Sequence, residues 1–172
     1  RLRVATIGSG HHDIPGGVYP NVWMYFQPRM CQHCDNPPCI ASCPYEAIEK
    51  RDDGVVVILP ENCTGCELCL PACPYDVMVM NLEERVVAIC DLCTHRTDVG
   101  LAPFCIECCP GDALFFGDVN SRDSDINTHK RAIPKTTYLL SGGGEEEDRP
   151  AVQYVSRRAK KPEDGTILAS DR

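Results

Sequence analysis

The feature that most constrains this chain is a cysteine-rich segment that repeats itself. Cysteine occupies 13 of the 172 positions, and every one falls between Cys31 and Cys109, in three groups. The stretch at 39–45 (CIASCPY) recurs thirty residues later at 69–75 (CLPACPY), and a looser copy stands at 105–110 (CIECCP). Each copy ends in Cys-Pro and is followed by apolar residues at matching places. This internal repeat is the basis of the structural prediction.

The spacing in the second group is that of an iron–sulfur ligand run. Cys63, Cys66 and Cys69 lie three residues apart, so three thiolates on a tight loop can hold three irons of one cubane. Gly65 lets that loop turn closely around inorganic sulfide. Cys73 precedes a proline, which predicts a helix start there and a thiol directed toward a second cluster. The other groups have the same pattern, with a longer loop between the second and third cysteines. Their spacings are Cys31-x2-Cys34-x4-Cys39-x3-Cys43-Pro44 and Cys90-x2-Cys93-x11-Cys105-x3-Cys109-Pro110.

This crossing of the fourth ligand predicts two 4Fe–4S sites among the first eight cysteines. In the third group, Cys109 is the expected ligand because it keeps the x3 spacing and the following proline, which leaves Cys108 as a free thiol. The first predicted site consists of Cys31, Cys34, Cys39 and Cys73, and the second of Cys63, Cys66, Cys69 and Cys43.

Other cysteine chemistries fit the pattern less well. Structural zinc also uses C-x2-C pairs, but it explains neither the triple in the second group nor three Cys-Pro endings. Disulfide bridges suit such close spacing less well than a metal cluster does, and a redox dithiol at one pair is less favoured still. His33 and His95 are expected to form hydrogen bonds near a cluster, or to face solvent, and not to ligate iron.

Composition narrows the function classes further. Aromatic residues make up only 6% of the chain, so bound clusters are expected to supply stability that a core of large side chains would otherwise give. The net charge of −8 argues against nucleic-acid binding. No apolar run reaches the about 18 residues of a membrane span, and no signal peptide is visible. The sequence starts at Arg1 and not at methionine, which indicates processing or an incomplete sequence.

Short strands separated by turns are predicted around the cysteine groups. Turn signals stand at 52–54 and 81–84, and a short helix is predicted over 45–50. After Gly117 the chain is polar, which predicts a mainly extended arm containing the low-complexity run at 142–148 (GGGEEED). The predicted strands are 22–26, 54–59, 76–80, 85–89, 113–116, 136–140 and 151–155.

The sequence resembles the four-cluster iron–sulfur electron-transfer (beta) subunits of the molybdopterin oxidoreductases, such as the dimethyl sulfoxide, polysulfide and tetrathionate reductases. The resemblance covers residues 31–118, about half of the chain. It is carried by CQHCDNPPC at 31–39, RDDGVV at 51–56, CPY at 73–75, CDLC at 90–93 and ALFFGD at 113–118.

This resemblance implies an α+β fold made of two bacterial dicluster ferredoxin-like units, one inserted in the other. The family has four cysteine groups, the inner two paired and the outer two paired, and this chain matches groups two, three and four. Cys90, Cys93, Cys105 and Cys109 would then serve the outer clusters, with partner ligands from a group near the N-terminus. The implied domains are 1–27, a remnant of the outer unit; 28–81, the inner dicluster domain; 82–118, the second half of the outer unit; and 119–172, a polar arm that contacts partners.

The function implied is electron relay between a quinone-reactive membrane anchor subunit and a molybdopterin catalytic subunit. The chain itself would be non-catalytic and membrane-associated through its partners, on the periplasmic or the cytoplasmic face. Two alternatives stay open: a freestanding polyferredoxin or electron-transfer subunit of a hydrogenase or formate complex, and a zinc-stabilised interaction scaffold.

The pairing rule also leaves the third group without its counterpart. A cluster held by Cys90, Cys93 and Cys105 needs a fourth ligand, and a cluster held by Cys109 needs three cysteines from elsewhere. The functional form is therefore expected to be longer at its N-terminus, with a further cysteine group there and up to four clusters in the full subunit.

Overall fold

The computed structural model describes residues 2–8, 14–132, 136–138, 151–152 and 154–156. Within these residues short helices and short strands are mixed, and the strands pair as four separate two-stranded antiparallel sheets. This content agrees with the predicted α+β class. The strands are β1 (Arg3–Ile7), β2 (Tyr25–Arg29), β3 (Ile48–Lys50), β4 (Val56–Ile58), β5 (Val79–Asn81), β6 (Val86–Ala88), β7 (Thr136–Tyr138) and β8 (Tyr154–Ser156). The helices are α1 (Pro38–Ala41), α2 (Cys69–Ala72), α3 (Thr94–Thr97), α4 (Phe104–Glu107) and α5 (Asp125–Ala132).

The sequence repeat forms a structural repeat in which a one-turn helix leads into the Cys-Pro pair. Helices α1, α2 and α4 all end just before this pair. The reason is steric, because a residue that precedes proline is disfavoured in the helical region. Cys73 accordingly adopts an extended conformation, with φ −83° and ψ 110°. The predicted helix start after Cys73 is therefore wrong, since the helix precedes the cysteine.

A left-handed residue follows each Cys-Pro pair and turns the chain again. Glu46, Asp76 and Asp112 have φ values of 51°, 49° and 44°. Each donates its backbone N–H to the carbonyl of the cysteine three residues earlier, at 3.5, 3.2 and 3.3 Å. A left-handed residue cannot continue a right-handed helix. For this reason the helix predicted over 45–50 is wrong, and strand β3 begins at Ile48 in its place.

Two of the three copies continue into a β-hairpin. Strand β3 pairs with β4 across the 52–54 turn, and β5 pairs with β6 across the 81–84 turn, as both turn signals predicted. Gly54 has a φ of +86°, which explains glycine at that turn. The strand predicted at 113–116 is absent from the described residues, because the segment after it forms turns and no partner strand returns to it.

The two hairpins enclose a small core. Its buried residues come from both hairpins and from α2, and cysteines of the first two groups pack around it. Cys69 belongs to this core and five further cysteines pack against it, so both predicted inner sites contact the same few apolar side chains. The buried core residues are Ile48, Val56, Cys69, Met78, Val87 and Ile89, and the packed cysteines are Cys31, Cys39, Cys43, Cys63 and Cys73.

The segment after Gly117 differs from the extended arm that was predicted. It contains the eight-residue helix α5, whose first turn carries Asp125, an acid favoured by the helix dipole. Strands β7 and β8 pair with each other near two predicted strands. Ala151 donates its N–H to the Gln32 carbonyl at 2.8 Å, and Val152 packs beside Cys34. The low-complexity run at 142–148 lies outside the described residues.

The N-terminal part forms one hairpin. Strand β2 lies three residues later than the strand predicted at 22–26 and pairs with β1, which was not predicted. Trp23 forms an isolated bridge with Gly16 and stacks on Tyr25, with ring centroids 6.0 Å apart. Among the described residues, no helix has both the length and the apolar character needed to cross a bilayer. The domain boundaries proposed from the sequence stay predictions.

Candidate metal centres

The structure gathers the first eight cysteines into two recesses. Four thiols line the first recess, which has a volume of about 360 Å³ and includes open solvent at its mouth. Four others line a second recess of about 320 Å³. Each set contains three cysteines of one group and the fourth cysteine of the other group. The first recess holds Cys31, Cys34, Cys39 and Cys73, and the second holds Cys43, Cys63, Cys66 and Cys69.

Burial and mutual repulsion both act on the thiols of the first recess. Burial raises the pKa of Cys31 to about 12, and repulsion from Cys39, Cys73 and Cys34 adds to the rise, which the His33 backbone N–H opposes. The pKa of Cys39 also rises to about 12, again chiefly through burial and then through Cys73. The thiol of Cys73 thus acts on the first group, although in sequence it follows the second.

The thiols of the second recess differ in exposure. Cys66 is exposed at its rim, whereas Cys69 is buried. Burial raises the pKa of Cys69 to about 11, with further repulsion from Cys43, Cys63 and Cys66. Cys43 therefore acts on the second group, as Cys73 acts on the first. Gly65 has a φ of +69°, and a Cβ placed there would lie 2.5 Å from the Arg85 carbonyl oxygen, so only glycine fits.

These recesses suit thiolate-bound iron–sulfur clusters. Burial and mutual repulsion make four thiolates unfavourable in an apolar recess, so a cationic centre is needed to hold them together. Backbone N–H groups already point at ligand sulfurs: Ala47 donates to Cys43 Sγ at 3.4 Å, and Val87 donates to Cys63 Sγ at 3.5 Å. Among the described residues, no three Cys, His, Asp or Glu side chains form a group able to hold a single metal ion.

Two thiols of the third cysteine group have a raised pKa. Burial raises the pKa of Cys90 and of Cys105, and the thiols of Cys90 and Cys93 add to the rise at Cys105. Asp91 shapes the loop between the first two, because its carboxylate accepts hydrogen bonds from the Cys93 N–H at 2.9 Å and the Thr94 hydroxyl at 3.2 Å. Three of the four predicted ligands of this group are thus close together.

Cys109 has backbone contacts of its own after the Cys-Pro pair. Its Sγ accepts a hydrogen bond from the Ala113 N–H at 3.3 Å. This contact and the Gly111 N–H hold the pKa of Cys109 below that of an ordinary thiol. Cys108 is exposed and ends helix α4. Cys109 therefore has the backbone arrangement that Cys43 has after its own Cys-Pro turn.

Comparison with known proteins agrees with this geometry. The family model of the 4Fe-4S dicluster domain matches residues 22–119. The chain belongs to the 4Fe–4S dicluster family. Its cofactors are 4Fe–4S clusters. All three cysteine groups lie inside the matched segment.

Three curated relatives show where such chains occur. A Halobacterium salinarum protein assigned as an iron–sulfur subunit of dimethyl sulfoxide reductase is 37% identical over 174 residues, covering 81% of this chain and 66% of the relative. A tetrathionate reductase subunit of Salmonella typhimurium is 44% identical over 110 residues, covering 62% and 44%. The beta subunit of chlorate reductase from Ideonella dechloratans is 40% identical over 169 residues, covering 95% and 51%. This chain thus spans about half to two thirds of the length of these relatives.

Lys50 and His33 form hydrogen bonds near the first recess, and sequence reasoning missed those of Lys50. Lys50 Nζ donates to the carbonyls of Cys34 and Asp35 at 3.0 and 3.2 Å, and it pairs with the Asp35 carboxylate at 3.2 Å. His33 Nδ1 accepts the Val56 N–H at 3.0 Å. His33 is buried, as the hydrogen-bonding alternative predicted, whereas His95 is exposed. The sequence repeat could have drawn attention to Lys50. The second copy has the apolar Met80 at the matching position, so a charged residue there is specific to the first copy.

Proposed function

We propose that this chain is a non-catalytic electron-transfer subunit that relays electrons through 4Fe–4S clusters. The observation that carries the proposal is the pair of four-thiol recesses on one small core, each completed by a cysteine from the other group. Two sites that share a core lie close to each other, as sequential electron transfer requires. The cross-contributed thiols also tie the two sites into one rigid unit.

In this proposal, Cys31, Cys34, Cys39 and Cys73 hold the first cluster, and Cys63, Cys66, Cys69 and Cys43 hold the second. When bound, a 4Fe–4S cluster supplies a one-electron redox centre that changes oxidation state with little rearrangement. The chain's own groups do the rest. Backbone N–H donors at Cys43 and Cys63 stabilise charge on the sulfurs, and the apolar core keeps water away from the inner face of each site.

The third group is proposed to serve outer clusters. Cys90, Cys93 and Cys105 would provide three ligands of one site. Cys109 would serve a different site, because its sulfur is held by the turn at 110–113. This arrangement supports a second ferredoxin-like unit around the first, with the inner unit at 28–81 inserted in it. An Arg51–Asp98 ion pair, at 2.6 and 3.0 Å, would join the two units.

The partners proposed are a molybdopterin catalytic subunit and a quinone-reactive membrane anchor subunit. The names of the relatives support a catalytic partner subunit, since they are names of dimethyl sulfoxide, tetrathionate and chlorate reductase subunits. The chain would be membrane-associated through such partners, at the periplasmic or the cytoplasmic face. The polar segment at 119–172 would contribute to these contacts.

Anaerobic purification with co-expressed neighbouring subunits tests this function. We expect a brown protein with broad absorption at about 400 nm, since thiolate-bound iron gives such bands and zinc does not. Reduced catalytic subunit should transfer electrons to the clusters in rapid-mixing experiments. A colourless zinc protein would overturn the proposal, and a stable, brown chain that binds no other subunit would favour a freestanding polyferredoxin.

A further inference from the structure

The two inner sites are built alike but differ at one backbone amide. In each hairpin a buried valine faces the cysteine loop: Val56 pairs with Lys50 across β3–β4, and Val87 pairs with Met80 across β5–β6. Val56 is 1% exposed and Val87 is 3% exposed. These two valines occupy equivalent places in the repeat, so their N–H groups are expected to make the same contact.

They do not make the same contact. The Val87 N–H donates to Cys63 Sγ at 3.5 Å, whereas the Val56 N–H donates to His33 Nδ1 at 3.0 Å. Cys31 is the counterpart of Cys63, as the first cysteine of its group. At the first site, therefore, an imidazole takes the amide that at the second site reaches a ligand sulfur.

The residue two positions after the first cysteine explains the difference. His33 and Gly65 share this place, and both have positive φ, at 45° and 69°. A side chain cannot be accommodated at Gly65, because a Cβ there would meet the Arg85 carbonyl oxygen at 2.5 Å and Met80 Cε at 3.6 Å. The second site thus has no imidazole to compete for its amide, and the first site has one that is fully enclosed.

The chemistry of the imidazole fixes its role. Since Nδ1 accepts the Val56 N–H, the neutral ring carries its proton on Nε2. A ring nitrogen that accepts a hydrogen bond carries no proton, so the ring is neutral in this arrangement and adds no charge to the site. Lys50 does carry a charge, but the Asp35 carboxylate pairs with it. The main consequence of the His33 side chain is therefore the loss of the Val56 N–H as a donor to sulfur, while the His33 backbone N–H still favours the Cys31 thiolate.

We propose that His33 is a positioning residue that holds the cluster of the first site at a lower reduction potential by keeping the Val56 N–H away from Cys31. The inference rests on the proposed ligand sets. One-electron reduction adds negative charge to the cluster and its sulfurs, and N–H donors to sulfur stabilise that charge. One donor fewer makes the reduced state less favourable, by an amount typical of a single hydrogen bond.

Two substitutions of His33 in the full holo chain test the inference. His33→Gly reproduces the second site, and the freed amide should shift the reduction equilibrium of the first cluster about fivefold toward the reduced form, or roughly 40 mV at 59 mV per tenfold. His33→Asn keeps an acceptor near Nδ1 and tolerates positive φ, so it should keep the wild-type potential. His95→Gly, at an exposed histidine, is the matched control and should leave the potential of the first cluster unchanged.

Potentials are measured by redox titration followed by electron paramagnetic resonance, with iron and sulfide assayed in each variant. A full iron complement with no upward shift in His33→Gly, or equal shifts in the Gly and Asn variants, would overturn the inference and leave the electron-relay function intact. Absence of iron from the wild-type sites would overturn the function itself.

A second measurement needs no variant. In the wild-type holo chain labelled with 15N-valine, hyperfine spectroscopy should detect a valine nitrogen coupled to the second cluster through Val87 and none of that strength at the first. Equal couplings at the two clusters would contradict the proposed diversion of the Val56 amide. This result decides the question even if His33→Gly fails to assemble.

Discussion

Replacing Cys73 with serine tests whether the fourth cysteine of each group serves the other group's cluster (the crossed arrangement) or the cluster of its own group. In sequence Cys73 closes the second group, but its thiol lines the first recess with Cys31 and Cys39. Serine is only slightly smaller than cysteine, and the extended backbone at position 73 is set by the following proline and not by the sulfur. The change therefore removes one soft ligand and leaves helix α2 in place.

The expected loss follows from the contents of each recess. Cys73→Ser removes one of the four thiols of the first recess and none of the second. A serine oxygen is a poor ligand for the iron that Cys73 would bind. The first cluster should therefore lose about one iron, to give a 3Fe form, or all of its about four irons. The second cluster should keep its full complement.

Iron and sulfide analysis of the holo chain, together with electron paramagnetic resonance before and after reduction, measures both effects. Cys66→Ser is the matched control, because it lies in the same cysteine group but lines the second recess. Cys66→Ser should change the signal of the second cluster and leave that of the first. The two single variants together assign each spectrum to one site.

The opposite pattern would refute the crossed arrangement. If Cys73→Ser altered the signal that Cys66→Ser also alters, each cysteine group would hold its own cluster. Wild-type iron content in Cys73→Ser would show that the thiol is not a ligand, despite its place beside Cys31.

Three further outcomes follow from the described contacts. Cys108→Ser should leave the iron content unchanged, because this exposed thiol lies outside the x3 spacing, and a lost cluster would reverse the assignment of the third group. Val56→Ala should destabilise the chain to urea by about 2 kcal/mol through lost burial and a cavity, whereas Leu82→Ala, at a side chain 83% exposed, should change stability little. Asp98→Asn should lower the Tm at neutral pH, because hydrogen bonds from Arg51 hold the pKa of Asp98 below its usual range. The Arg51–Asp98 pair therefore stabilises the fold at pH values above the ordinary carboxyl pKa. This stabilisation is lost as the pH falls through the depressed pKa of Asp98. The Tm difference between variant and wild type should then shrink in acid, and a constant difference would contradict this account.

Cysteine spacing and turn chemistry were enough to predict the cofactor and the two hairpin turns, and the family resemblance implied the α+β class. These features are local, because a ligand run must match the shape of one cluster, and glycine or Asx turns act within a few residues. The grouping of thiols also followed from local sequence, and the structure places the predicted sets around the two recesses. Their roles as ligands stay predictions.

Other elements could not be obtained locally. The helix predicted at 45–50 failed because a left-handed Glu46 breaks it, and the strand predicted at 113–116 has no partner among the described residues. Both outcomes depend on how the repeat closes on itself, since a strand exists only where another strand pairs with it.

The sequence by itself determined what this chain binds, because twelve of its thirteen cysteines stand in a spacing that suits little other chemistry. Only the tertiary structure decided how the two inner sites differ. His33 and Gly65 stand at the same place in the repeat, but the consequence of that substitution appears at Val56 and Val87, more than twenty residues away. The physical reason is that a backbone N–H has one proton to donate, and the nearest acceptor that the fold provides takes it.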